Sequence, residues 1–557
     1  MRRALTPRTT LDTLRKDAKR WLKALRAGDD AARRRLREAW PKAPAEPGLR
    51  DVQHALALEY KRESWIDLRA ALDDLALARK SHQERVEQLL RHGWERAGVG
   101  VARRILARHP EVAGDSLFTA ATCGDLAGVE SRLAQAPDAA RQAGGPLNWT
   151  ALAYVTYGRL DPVNAVAIAG RLLDAGADPN FRFDDGWGSP FKILTGAVGL
   201  GEGARSSHPQ ARELVDSLVA RGADPYDHQA LYNISIVGEE TDWYDFFWTF
   251  CEANGRLDPW RIAGEGRLGF SFGKTTLDYL LGNAVGQDHL ARALWLLARG
   301  ADPDTTHAYT RQPLHALAQL SGFTAMARLL ERHGAAPVAL TGVEALRAAC
   351  LRGDAPAARA LLAAEPGLLR DSAPLRAAAE FGNAPAVRLL LSLGADVGGL
   401  DADGISALHR AVQSGSLETV DLLLAAGGNV DLRERKWKGT PLSWAGVLGR
   451  PQIAERLAPL SRDARALAWM GMTERLAAIL DDEPHEARAV LPDEEAPSLL
   501  FCLPDDEKKA VAVARILLAH GADATLRNKG GETAIDAARR RGLEEAAELI
   551  EGGEAET

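Results

Sequence analysis

The residues most suggestive of chemistry form a glycine-rich run near the middle of the chain. Residues 264–269 read GEGRLG and residues 273–275 read GKT, a pattern in which backbone N–H groups and a lysine could hold phosphate. A dinucleotide site needs a strand before the glycines and a helix directly after them, whereas the sequence DPW at 258–260 is typical of a turn. A P-loop needs glycine where this chain has Leu268. The run therefore favours a loop over a phosphate site.

Other arrangements that could hold a metal or a nucleophile are incomplete. Asp401, Asp403 and Gly404 are typical of a calcium loop, but that register puts Gly399 and Arg410 at the first and last ligand positions. The chain has neither H-E-x-x-H nor G-x-S-x-G, and its 13 histidines are scattered singly. Paired carboxylates occur without a partner that would separate their pKa values. We therefore expect no enzyme, no cofactor and no metal.

The elements that carry these residues repeat along the chain. Residues 401–430 read DADGISALHRAVQSGSLETVDLLLAAGGNV, and the next unit begins KWKGTPLSWAGVLGRPQIAERL. In each unit Ser406 or Thr440 can cap a short helix, Gly415 or Gly449 can end it, and a second apolar helix follows. Two such short helices cannot bury their apolar faces alone, so each unit needs neighbours of the same kind.

An apolar residue near the start of each first helix marks the units, which recur about every 35 residues. The marker residues are Leu117, Leu152, Phe191, Leu231, Leu277, Leu314, Leu346, Leu375, Leu408, Leu442, Leu467, Leu499 and Ile535.

The second helices end on a shared motif. Gly-Ala-Asp follows an aliphatic pair at five of them, with the glycine at positions 176, 222, 300, 394 and 521. Together with the period, this motif resembles ankyrin repeats. The resemblance implies a mainly α fold: a solenoid of about 13 degenerate helix-loop-helix units with hairpin-like loops. In that family the histidine of the T-P-L-H-like helix start bonds the backbone of a neighbouring loop, and we expect this of His315 and His409.

The aromatic segment at 242–250, DWYDFFWTF, has two interpretations. It could form an exposed platform for a ligand. However, Trp243, Phe246, Phe247 and Phe250 fall at helical spacing, which favours the buried face of a second helix.

The N-terminal residues form a different unit. Residues 10–26 predict an amphipathic helix with basic side chains beside its apolar stripe, and two further helical patterns follow a proline-containing loop. Residues 1–78 resemble a short helical domain that precedes ankyrin repeats in uncharacterised bacterial proteins, a family that brings no assigned activity. We predict a basic helical domain at 1–78, a helical connector or capping unit at 79–112, the solenoid at 113–550 with an insertion-rich stretch at 181–290, and a disordered acidic tail at 551–557.

Charge and composition narrow the class of protein. Residues 1–40 hold 13 Lys and Arg against 5 Asp and Glu, although the 557-residue chain has a net charge of −7. An acidic run at 481–507 is typical of solvated loops. There is no apolar signal segment or long apolar span, and the four cysteines are too scattered for a disulfide framework or a thiolate zinc site. We expect a cytoplasmic protein whose cysteines are small buried apolar residues.

A repeat solenoid with these features predicts a non-catalytic scaffold that binds a protein partner through its concave face and loop tips. The chain is expected to be a monomer. The alternative is binding of nucleic acid or anionic membrane by the basic N-terminal helix, with the repeats as support. Exposed Trp, Tyr and Arg carry much of the energy of protein interfaces. The candidate partner-binding residues, all placed in loops, are Arg182, Asp185, Trp187, Tyr226, His228, His307, Tyr309, Arg311, Arg433, Arg435, Lys436, Trp437, Lys438, Arg527 and Lys529.

Overall fold

The computed structural model describes residues 3–6, 9–94, 99–160, 163–184, 190–200, 206–263, 273–491, 493 and 495–554. The chain separates into two compact units, residues 1–302 and residues 303–557. The described residues are mainly helical, as the sequence predicts.

The first unit opens with a four-helix cluster built on the predicted apolar stripe. Thr10 caps the first helix by accepting the N–H of Thr13, and Trp21 and Leu22 of this helix lie fully inside the cluster. The helices are α1 Leu11–Arg26, α2 Asp30–Ala39, α3 Leu49–Glu59 and α4 Trp65–Arg79. Helix α1 therefore packs its apolar stripe against the neighbouring helices.

Helix α2 was not predicted from the sequence. It buries only Ala32 and Leu36, so its apolar pattern is weak. Its stability comes from polar contacts instead: the Arg35 guanidinium lies 3.6 Å from the Trp21 ring centroid and donates to Glu59 at 2.7 Å.

The rest of the first unit consists of helix pairs with two short hairpins. Its helices are α5 His82–His92, α6 Val99–Arg108, α7 Leu117–Thr122, α8 Leu126–Gln135, α9 Ala151–Tyr157, α10 Ala165–Asp174, α11 Ile193–Val198, α12 Ala211–Ala220, α13 His228–Ser235, α14 Asp242–Ala253, α15 Asp258–Arg261, α16 Thr276–Gly286 and α17 Leu290–Leu297. The antiparallel strands are β1 Ala143–Gly144 with β2 Trp149–Thr150, and β3 Arg182–Asp184 with β4 Pro190–Lys192.

In this unit first helices pack on first helices: α7 contacts α9, α9 contacts α11 and α11 contacts α13. Second helices form a parallel row in which α8 contacts α10 and α10 contacts α12. One marker residue was placed wrongly, because Phe191 lies in β4 opposite Phe183 and the helix begins two residues later. The hairpin extends through the expected helix start, so Ile193 and Leu194 enter the core in its place.

The aromatic segment forms the predicted second helix, α14, but the buried face of this helix is shifted by one residue from the predicted face. Tyr244, Phe247, Trp248 and Cys251 form its buried face, whereas Trp243, Phe246 and Phe250 are only partly covered. Trp248 and Tyr244 pack against Trp295 of α17, and Trp248 also packs against Trp260 of α15, a helix that the sequence pattern indicated as a turn. This contact sets the rotation.

The second unit repeats the same arrangement. Its helices are α18 Leu314–Leu320, α19 Thr324–Arg332, α20 Gly342–Leu351, α21 Ala355–Ala364, α22 Ala373–Glu380, α23 Ala384–Ser392, α24 Ala407–Ser414, α25 Leu417–Ala425, α26 Pro441–Val447, α27 Pro451–Leu457, α28 Ala464–Met470, α29 Thr473–Asp482, α30 His485–Arg488, α31 Glu507–Ala519, α32 Ala534–Arg540 and α33 Glu544–Glu554. First helices from α18 to α28 contact one another in order, and a continuous apolar core runs from Leu346 to Ile550. At Leu499 the first helix shortens to a 3₁₀ turn.

The predicted caps and stops are present. Ser406 and Thr440 cap α24 and α26, and Gly415 ends α24 with φ +80°. The five exit glycines have φ between +78° and +98°. His409 Nε2 lies 3.2 Å from the Gly439 carbonyl, and His315 Nδ1 accepts the N–H of Val338 at 3.0 Å. Both histidines therefore hold the next loop, as the sequence predicts.

Candidate functional site

The densest group of predicted binding residues lies in one loop between α25 and α26, here called the Trp437 loop (residues 433–439). The side chain at the centre of this loop is Glu434, which is 1% exposed. The Glu434 carboxylate accepts the N–H groups of Lys436 at 2.6 Å, Trp437 at 2.9 Å and Gly439 at 2.9 Å. Burial opposes ionisation of Glu434, but these three N–H groups outweigh it and hold its pKa below the usual range. A single carboxylate thus fixes the backbone of the loop.

Two arginines tie the Trp437 loop to the repeats on either side. The Arg435 backbone N–H donates to the Asp403 carbonyl at 2.7 Å, and its guanidinium donates to the Ala402 carbonyl at 2.8 Å. The Arg433 guanidinium donates to Asp463 at 2.9 Å and to the Lys438 carbonyl at 3.0 Å. Arg433 and Arg435 therefore support the loop, a role that their sequence pattern did not reveal.

Trp437 stands out from this fixed loop with 68% of its surface exposed. The Lys436 ammonium lies 4.4 Å from its ring centroid. Two grooves meet at Trp437 and Val447, since both residues line both grooves. Trp437 is therefore the ridge between two depressions.

The first depression, here called the apolar groove, has a volume of about 660 Å³. Its walls include Ile405, Trp444, Val447 and Leu448, with Lys436 at the rim. Val447 is 75% exposed and Leu448 is 42% exposed. A single exposed apolar residue needs no explanation, but a contiguous group of this kind is typical of an interaction site.

The second depression, here called the polar groove, has a volume of about 590 Å³. Its charged side chains are largely paired with one another: Arg541 lies 2.7 Å from Asp505, Arg465 contacts Asp493, and Arg433 pairs with Asp463. Its apolar contribution comes from the partly exposed Trp469 and Phe501. Several acids of the 481–507 run are thus ion-pair partners, not isolated loop charges.

Two of the predicted binding residues are buried, which corrects the expectation that they are exposed. Tyr226 is 5% exposed and His228 is 8% exposed. Tyr226 packs edge-on against Trp260, and its hydroxyl lies 2.7 Å from the hydroxyl of Thr276. Desolvation lowers the pKa of His228 to about 3, so its ring is neutral. The segment around α15 covers this loop, and nothing in the repeat pattern indicates such a cover.

The other candidates are spread over separate loops. Exposed side chains include Arg182 on β3, Tyr309 and Arg311 in the loop before α18, and Arg527 and Lys529 in the loop before α32, while His307 is half-buried. Lys529 forms an ion pair with Glu495 at 2.5 Å. Asp185 and Trp187 lie outside the described residues. Among the described residues, the Trp437 loop is the one that combines a largely exposed Trp with exposed apolar neighbours on the next helix.

The motifs considered for chemistry have structural roles where they are described. Residues 264–269 lie outside the described part of the chain, and Thr275 caps α16. Asp401 accepts the N–H groups of Asp403 and Ile405 in a hairpin turn at Gly404. Within the described ranges, Glu483, His485 and Glu486 place ligand atoms within 4.8 Å of one another. Glu483 and Glu486 of this group are half-buried, and Arg462 already forms an ion pair with Glu483.

The chain consists of pairs of short helices in which first helices contact first helices and second helices contact second helices. This arrangement defines a helical-repeat protein. A family model for ankyrin repeats matches residues 375–468 in three copies, a segment that runs from α22 into α28 and contains the Trp437 loop. The chain therefore contains ankyrin repeats, which are in general modules of protein–protein interaction. The resemblance of residues 1–78 to a bacterial helical domain stays a prediction.

No curated protein matches the chain. Among solved structures, one similar chain comes from the Bd0816 predatory endopeptidase of Bdellovibrio bacteriovorus in complex with immunity protein Bd3460. The identity is 23% and the TM-score is 0.26, over 32% of this chain and 96% of that chain. Within the described residues, every helix is too short or too polar to cross a membrane.

Proposed function

We propose that this protein is a non-catalytic binding module that recognises a protein partner through the Trp437 loop and the two grooves beside it. The observation that carries the proposal is the 68% exposure of Trp437 on a loop whose backbone Glu434 fixes. Tryptophan is among the residues that contribute most to protein interfaces. Since the loop is already ordered, little conformational entropy is lost when a partner binds.

The surroundings of Trp437 support a protein partner. Val447, Leu448 and Trp469 extend the exposed apolar area along α26 and α28. Arginines paired with carboxylates border this area in the polar groove. An apolar centre with a polar, hydrogen-bonding rim is the usual composition of a specific protein interface.

The N-terminal alternative is weaker. The apolar stripe of α1, including Leu14 and Leu25, is inside the helix cluster and is not free to enter a lipid surface. Arg3 and Arg35 are ion-paired with Asp17 and Glu59. A filter assay with nucleic acid across salt concentrations tests what remains of this alternative, because phosphate contacts weaken steeply with salt.

A reducing compartment such as the cytoplasm fits the cysteines. Cys251, Cys350 and Cys502 are buried free thiols, and Cys123 is half-buried. Burial raises the pKa of Cys251 and of Cys350 to about 11, which makes their thiols unreactive.

Site-specific cross-linking tests the proposed function. A photoreactive phenylalanine at position 437 of the full chain should capture one recurrent protein, which is then purified. We expect Trp437→Ala to weaken binding of that protein by about 2 kcal/mol or more, measured by calorimetry. Leu460→Ser is the matched control, since Leu460 is 46% exposed and lines neither groove.

Unchanged affinity of Trp437→Ala for the captured protein would remove the Trp437 loop as the recognition surface. Equal losses in Trp437→Ala and Leu460→Ser would also contradict the proposal, because the loss would then not be specific to the loop.

A further inference from the structure

The charges around Trp437 are not balanced within the chain. Among the described residues, Arg435, Lys436 and Lys438 are exposed and none has a carboxylate partner. The one acid of the loop, Glu434, is buried and occupied by backbone N–H groups. Asp403 is the single exposed acid at the rim of the apolar groove. The loop therefore presents a net positive surface.

These cations lie on opposite sides of the Trp437 ridge. Lys436 lines the apolar groove, and Lys438 lines the polar groove. Arg410, the other cation of the apolar groove, is already paired with Glu380 at 3.3 Å and with Asp401 at 3.6 Å. The free positive charges thus flank the exposed ring, and the apolar walls lie between them.

Building on the proposed function, we infer that the partner presents a large apolar side chain flanked by carboxylates. The apolar side chain occupies the groove between Trp437, Trp444 and Val447. A carboxylate on one side of it faces Lys436, and the partner chain crosses the ridge so that a second carboxylate faces Lys438. The shape of the apolar groove selects the apolar side chain of the partner, and the charges of Lys436 and Lys438 select the carboxylates beside it.

A nucleic acid would also offer rings for Trp437 and negative charge for the lysines, but the grooves favour a protein. The apolar groove is walled by the aliphatic side chains of Ile405, Val447 and Leu448, which fit a branched or aromatic side chain. In the polar groove three arginines are already paired with Asp463, Asp493 and Asp505. Among its described cations this leaves Lys438 to meet an anion, which suits a single carboxylate better than a run of phosphates.

Labelled peptides of twelve residues test the inference with the full chain. One has Glu-Glu-Trp-Glu-Glu at the centre of a Gly-Ser sequence, the second has Lys in place of Glu, and the third has Ser in place of Trp. By fluorescence anisotropy at low salt we expect the first to bind on the order of tenfold more tightly than either of the others. Its affinity should fall as salt rises.

The double variant Lys436→Glu/Lys438→Glu is the decisive comparison. Both side chains are exposed, and the backbone contacts of Lys436 to Glu434 and of Lys438 to Arg433 do not depend on them, so the fold is retained. We expect this variant to prefer the Lys peptide to the Glu peptide, a reversal that a merely structural role of the lysines would not produce.

Three results would overturn the inference: no binding of the acidic Trp peptide at millimolar concentration, no reversal in the double variant, or tighter binding of a thymidine oligonucleotide than of the peptide. Failure here is distinct from failure of the proposed function. If the captured protein still needs Trp437 while the peptides show no preference, only the partner chemistry inferred here is wrong.

Discussion

Glu434 is the residue on which the shape of the recognition loop depends. We expect Glu434→Gln to lower the free energy of unfolding by about 1–2 kcal/mol, because the neutral amide is a weaker acceptor for three backbone N–H groups. Hydrogen exchange at residues 436–439 should accelerate in this variant. Glu418→Gln is the control, since Glu418 is exposed and pairs with Arg388 at the surface. Unchanged exchange in the loop would contradict the assigned role.

Because Glu434 is a titratable group, the loss of stability in Glu434→Gln should depend on pH. The folded-state pKa of Glu434 is lowered from 4.5, so its stabilising contribution is fully present above the unfolded-state pKa. That contribution is lost as the pH falls through the folded-state pKa. The difference in thermal stability between the wild type and Glu434→Gln should therefore be full at neutral pH and should shrink below about pH 4.5. A difference that is constant with pH would exclude ionised Glu434 as its source.

Sequence reasoning located the Trp437 loop from its Trp and basic residues but could not assign their separate roles. Arg433 and Arg435 hold the loop and Trp437 is exposed, although all three have the composition of binding residues. One feature of the sequence indicated the role of Glu434, namely that it is the single acidic residue within a basic run. The burial of Tyr226 was missed because it depends on Trp260, which is distant in sequence, and His228 was placed in a loop although it is the first residue of α13.

At the scale of elements, one buried arginine holds the turn between α13 and α14. Arg292 of α17 is 1% exposed, and its guanidinium donates to the carbonyls of Ser235 at 3.0 Å and Glu240 at 3.2 Å. It also lies 5.1 Å from the Tyr244 ring centroid. We expect Arg292→Leu to destabilise the first unit by about 2–4 kcal/mol, since the carbonyls lose their donor.

Arg221→Leu is the matched control for that experiment. Arg221 forms an ion pair with Asp174 at 3.3 Å, but its side chain is 40% exposed, so its loss should cost less than about 1 kcal/mol. Urea unfolding of both variants gives the comparison. Equal effects would mean that the buried guanidinium contributes no more than a surface charge.

Local signals predicted most helices, and long-range packing decided the exceptions. The helices around Leu408 and Leu442 follow from the caps, the stop glycines and the apolar spacing. Helix α2 escaped notice because its contacts are mainly polar. The rotation of α14 depends on Trp295 of a later helix, which no pattern within α14 could indicate.

At the scale of the whole molecule, each helix pair is stabilised mainly by its neighbours. Leu56 in α3 and Leu408 in α24 are both fully buried, and replacing either with Ala should cost about 2–5 kcal/mol locally. Amide hydrogen exchange should accelerate in α1–α4 of the Leu56→Ala variant and in α22–α26 of the Leu408→Ala variant. A uniform increase along the chain in either variant would instead show that the whole chain unfolds in one cooperative step.

The internal carboxylate of the Trp437 loop separates the shape of the loop from the identity of its side chains. Glu434 accepts backbone N–H groups, which every residue type except proline provides, so positions 436 and 437 can change while the loop keeps its form. Position 438 is more restricted, because its φ of +57° disfavours β-branched residues. In evolutionary terms, the recognition residues can change while the framework that holds them is kept. For protein engineering, the exposed side chains of this short loop can be replaced with new recognition residues without redesigning the repeat.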